Sequence, residues 1–150
     1  MRNAYKILGG LIALLVFVQA GSIAFAYSGM GIWIQDGGTL DAAAMESRDT
    51  TFTGVAGFIV HGMNGMMLIP LLALVLLIVS FFAKLPKGVP TAAALLGLVI
   101  VQVLLGITSS STAYAGLLHG INALLVLGAA ASAARLAMVA ERVDASPVHA

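Results

Sequence analysis

Four stretches of this chain run for about twenty residues or more without a single Lys, Arg, Asp or Glu, and nothing else in the sequence limits its fold so tightly. They cover about 7–27, 54–82, 90–108 and 112–134. A helix needs about 20 apolar residues to cross the hydrocarbon core of a bilayer. A backbone held there must satisfy its own hydrogen bonds, which a helix does within one segment. Composition agrees, because 9% charged residues against 61% hydrophobic ones cannot cover a water-soluble domain. The pattern therefore predicts an all-α integral membrane protein. It is a four-helix up-down-up-down bundle forming a single transmembrane domain over 1–150, with an outer loop at 28–53 and a cytoplasmic tail at 136–150.

The first run invites another reading. Arg2 and Lys6 precede the apolar stretch and Ala24-Phe25-Ala26 follows it, as in a secretory signal with its small-residue cleavage site. The expectation here is a retained first helix. With the N-terminus inside, Arg2, Lys6, Lys84, Lys87, Arg135 and Arg142 all lie on the inner side and Arg48 alone on the outer. That bias predicts a multi-pass protein of the plasma (inner) membrane, with both termini cytoplasmic and the long loop outside. No basic patch occurs beyond the helix flanks, so nothing suggests nucleic acid as a partner. The absence of cysteine excludes disulfides and thiolate chemistry.

Connections are short at Lys84-Leu85-Pro86-Lys87 and Ser109-Ser110-Ser111-Thr112, as antiparallel hairpins require. The outer loop is long and holds a helix-prone stretch from Leu40 to Glu46. It reads either as a linker lying on the membrane or as a lid over the bundle. Tyr27 and Trp33 are expected interfacial anchors.

Polar residues inside the runs repeat. Helix 2 carries His61-Gly62-Met63-Asn64 and the last helix His119-Gly120-Ile121-Asn122, while helices 1 and 3 contribute Gln19 and Gln102. His and Asn three apart share a helix face. The repeat suggests a pseudo-repeat of two helical hairpins. Each histidine lies about seven residues into its helix, roughly 10 Å below the outer end. Both glutamines fall at the same depth, so the six polar side chains form one slab in the outer half. Such groups are costly in lipid and should face the bundle interior.

Three readings of the slab follow. His61 and His119 can ligate one haem b iron through both axial positions, since neutral imidazole brings no buried charge. Gly62 and Gly120 would then leave space for a flat porphyrin. Gln19, Gln102 or backbone carbonyls would receive the second ring nitrogens, and Asn64 and Asn122 would bond across helices or to a propionate. Alternatively, the six side chains form a satisfied structural network. A metal or quinone site is the third reading, although no carboxylate or cysteine completes a tetrahedral zinc set. Met63, Met66 and Met67 read as packing. His149, in the polar tail, carries no assigned role.

The segments Val18-Gln19-Ala20-Gly21, Phe58 to Gly65, Gln102 and Leu118 to Leu124 resemble a family of small actinobacterial four-transmembrane-helix proteins of unknown function. More loosely, the two histidines on alternate helices are similar to one four-helix half of haem A synthase. That resemblance implies haem ligation by His61 and His119, with Gln19 and Gln102 at the family's glutamine positions. Gly57 stands where the synthase has an acidic residue, so haem-modifying chemistry is not implied.

The leading expectation is a small b-type membrane cytochrome passing electrons in or near the respiratory chain. Its partners would be the lipid bilayer, a quinol or another membrane protein, as a homo-oligomer or a subunit of a larger complex. Two histidine ligands leave no open iron position, which favours electron transfer over oxygen chemistry. The alternative is a non-catalytic membrane accessory or assembly subunit. A transporter has less support, because no charge is buried in the spans.

Overall fold

A computed structural model describes residues 1–47 and 49–145. The described residues form five helices: α1 (Arg2–Gln35), α2 (Ala42–Glu46), α3 (Ala56–Ala83), α4 (Gly88–Thr108) and α5 (Ala113–Ala145). Among the described residues there is no strand. Four of the helices are long and apolar enough to cross a membrane. Each packs beside two others in the ring order α1–α3–α4–α5. The protein is thus a four-helix up-down bundle of the multi-pass membrane type, and α1–α3 and α4–α5 are its two hairpins.

Small and branched residues fill the half of the bundle nearer the chain termini. Tyr5, Ile12, Leu76, Leu95 and Val99 are fully buried, and Ala73, Ala92, Ala130, Ala133 and Ala137 let the helices approach. At Gly9 a methyl group would sit 2.8 Å from the Ala134 backbone nitrogen, so α1 and α5 touch almost backbone to backbone. Tyr5 donates its hydroxyl proton to the Gly88 carbonyl at 2.9 Å, which gives this buried phenol its partner. Ser80 and Ser132 bond to carbonyls of their own helices. Large apolar side chains such as Phe17, Leu71, Phe81 and Leu124 face outward, as lipid-exposed helices require.

Two helix ends differ from the sequence reading. α1 continues through 28–35, which was expected as loop, so the connection shortens to 36–55. Gly29 makes this possible, because the Thr53 carbonyl lies where its side chain would be. α5 likewise runs past Arg135 to Ala145, into the expected tail. Its last turns are tied to the start of α1 by Lys6–Glu141 at 2.7 Å and by Arg2–Asp144, and Ala137 is buried beneath them. A helix of 34 residues is about 50 Å long, so its ends project beyond an apolar core of about 30 Å. Arg48 and His149 lie outside the described residues.

The connection folds back over one end of the α1–α3 hairpin. Asp41 caps α2 by accepting from the Ala44 amide at 2.8 Å. Trp33, expected as a membrane-interface anchor, stacks on Phe52 with ring centres 5.8 Å apart. Gly54, at φ +98°, lets the chain turn against the Phe25 carbonyl and enter α3. The loop encloses a cavity of about 380 Å³ between Met30, Leu40, Phe52 and Phe58.

One irregularity interrupts α3. A wide π turn spans Asn64–Leu68, and Pro70 follows two residues after its end. Proline offers no N–H to the preceding turn, so one helical bond is missing there in any case. Such turns recur at functional positions.

Candidate functional site

The hydrogen bonds of the slab follow one rule, applied twice. In the first hairpin His61 Nδ1 lies 3.0 Å from the Gln19 carbonyl, and Asn64 Nδ2 donates to the Leu15 carbonyl at 3.1 Å. In the second, His119 Nδ1 lies 3.0 Å from the Gln102 carbonyl, and Asn122 Nδ2 donates to the Leu98 carbonyl at 2.9 Å. Each Asn is one turn deeper than its His, and each lower carbonyl is one turn deeper than its Gln. Antiparallel neighbours bring these rungs level. A carbonyl already bonded along its helix has a second lone pair to offer.

Those bonds also decide the histidine tautomers. A carbonyl can only accept, so each Nδ1 must carry the proton, and each Nε2 is left with a free lone pair. The second ring nitrogens therefore use the backbone of Gln19 and Gln102 rather than their amides. Both rings are half-buried and face each other across the two hairpins, with centres 6.1 Å apart and planes inclined by 54°.

The glutamine side chains break the symmetry. Gln102 donates from Nε2 to His119 Nε2 and to the His119 carbonyl, both at 3.1 Å, and its Oε1 accepts from Asn122 at 2.7 Å. The second hairpin is a closed circuit. In the first, Gln19 Oε1 and Asn64 Oδ1 are buried without a partner. Among the described residues nothing bonds His61 Nε2. No hydrogen bond of the slab crosses from one hairpin to the other among the described residues.

Between the hairpins there is space instead. A cavity of about 320 Å³ lies at the α1–α5 seam, walled by Phe17, Ala20, Ile23, Gly120, Ala123 and Leu124. A second, of about 210 Å³, lies at the α3–α4 seam, walled by Gly62, Gly65, Met66, Val103, Gly106 and Ile107. Gln19, His61, Gln102 and His119 border both. A side chain added at Gly62 or Gly120 would meet nothing within 4 Å. Gly57 serves close packing instead, with the Ser22 carbonyl against it. Sequence reasoning missed Gly106, whose missing side chain admits the His119 ring at 3.1 Å. Its position one turn after Gln102 was the available signal.

The loop cavity shares no lining residue with either seam cavity. Among the described residues no group of three or more His, Cys, Asp or Glu could hold a metal ion. No family model matches the chain, and neither a curated protein nor a solved structure matches it.

Proposed function

We propose that the His/Gln/Asn cluster locks each hairpin in register, and that the chain is a non-catalytic membrane accessory or assembly subunit. The observation that carries this is the closed circuit joining Gln102, His119, Asn122 and the Leu98 carbonyl. Those bonds need no added group. The positive-inside bias supports an orientation with both termini in the cytoplasm and the loop 36–55 outside.

A second reading is favoured by what the circuit leaves undone. The bonds of the slab stay within each hairpin and join nothing across the two. The His61 and His119 rings stand with centres 6.1 Å apart, and the protonated Nδ1 atoms would leave both Nε2 atoms to hold an iron. The seam cavities, walled mostly by apolar residues beside the four polar side chains, would receive a flat apolar ring. On this reading His61 and His119 hold haem b and the chain is a small b-type cytochrome for electron transfer. The group would supply one-electron chemistry, while the protein supplies burial, ligand orientation and exclusion of water. The looser likeness to half of haem A synthase points the same way.

One measurement separates the two. Protein purified from cells with ample haem is expected to show sharp reduced-minus-oxidised b-type bands on the second reading. A folded, colourless and iron-free preparation leaves the structural role alone.

A further inference from the structure

We infer that the two histidines are unequal ligands: His61 is the open one, and the Gln102 amide is a removable cap on His119. The inference rests on the two-histidine haem reading and goes beyond it, by assigning an order of engagement and a role to one glutamine.

The argument comes from comparing two halves built to one plan. Both histidines donate Nδ1–H to a glutamine carbonyl, so both present Nε2 as an acceptor. In the second hairpin that lone pair is engaged by Gln102 Nε2 at 3.1 Å. Asn122 steadies the same amide through Oε1 at 2.7 Å, and the His119 carbonyl takes its other proton. In the first hairpin the equivalent glutamine has turned away. The Gln19 amide lies against Gly65, where any side chain would collide with it, and its Oε1 has no donor. Asn64, which could supply that donor by analogy with Asn122, is left with its own Oδ1 unpartnered. The molecule thus holds the same device in two settings, closed over His119 and open at His61.

Gly65 decides which setting each half adopts. The residue at the corresponding place in α5 is Ala123, three after Gly120 as Gly65 is three after Gly62. A glycine lets the Gln19 amide lie over α3, where an alanine like that in α5 would collide with it. The π turn over Asn64–Leu68 also falls in the first hairpin, while α5 continues without one. An incoming ligand meets a free lone pair at His61, but at His119 a hydrogen bond must first break. That bond is replaceable, because the amide can turn aside into the α3–α4 cavity that it already borders.

The test is haemin titration of protein made under haem limitation and purified in detergent, followed by rapid-mixing absorption. Wild type is expected to show two phases, an early high-spin spectrum and a slower change to a low-spin one. His119→Ala should keep the first phase and lose the second, whereas His61→Ala should lose the fast phase. Gln102→Ala should accelerate the second phase by about tenfold, and Gln19→Ala should leave it within about twofold. Equal behaviour of His61→Ala and His119→Ala would overturn the inference even if Gln102→Ala did not fold. So would an unchanged second phase in folded Gln102→Ala, or equal acceleration by Gln19→Ala. If wild type takes up no haemin, the haem reading fails and this inference with it; low-spin wild type with interchangeable histidines removes the inference alone.

Discussion

Asn64 and Asn122 occupy matching rungs yet hold different things. Asn122 spends both amide protons, on the Leu98 carbonyl and on Gln102 Oε1, whereas Asn64 makes one bond and buries an unpaired oxygen. Asn122→Leu removes two donors and strands a buried acceptor, so it is expected to destabilise the protein by about 1–2 kcal/mol. Asn64→Leu removes an orphan together with its single bond and should stay within about 0.5 kcal/mol of wild type. Denaturant unfolding in detergent, followed by circular dichroism, compares the two. An equal loss at both positions would mean that the closed circuit adds nothing. The paired motifs themselves were readable in the sequence, because His61 with Asn64 and His119 with Asn122 interrupt otherwise apolar runs at matching depths. Their acceptors were not. Leu15 and Leu98 contribute only carbonyls, which every residue has, and the turned amide of Gln19 depends on contacts across helices.

At the scale of elements, the spans were legible and their ends were not. Apolar run length marks where a helix must cross, but it does not mark where a helix stops once it leaves the lipid. Residues 28–35 contain two glycines and resemble a loop until the Thr53 carbonyl is seen to lie against Gly29. Residues 136–145 carry charge and resemble a tail until Glu141 and Asp144 are seen to pair with the first turns of α1. Contact between α1 and α5 can be probed at two adjacent glycines. A side chain at Gly9 meets the α5 backbone, while one at Gly10 meets nothing within 4 Å. Gly9→Val should lose about 2 kcal/mol or more by forcing the helices apart, and Gly10→Val should lose under about 0.5 kcal/mol. Similar unfolding midpoints for the two would contradict the close approach.

For the whole molecule, the absence of cysteine makes sidedness directly measurable. A single cysteine at the exposed position of Thr39, in the loop, should react with a membrane-impermeant maleimide added to intact cells. One at exposed Lys87, in the turn between α3 and α4, should react only after the membrane is opened. The reverse pattern would invert the orientation drawn from the charges.

Every polar bond of the slab closes within a hairpin, and the two hairpins repeat the same rungs. A single hairpin therefore contains all the instructions for half of the site. Expressed alone, the segment 88–145 is expected to pair with its own copy about a two-fold axis, bringing two His119 rings together where the full chain brings His61 and His119. Crosslinking in detergent would detect that dimer, and a strictly monomeric segment would count against it. Such behaviour would make the present chain readable as a fused dimer, in which joining two equal halves allowed one glutamine to be released while its twin kept its place.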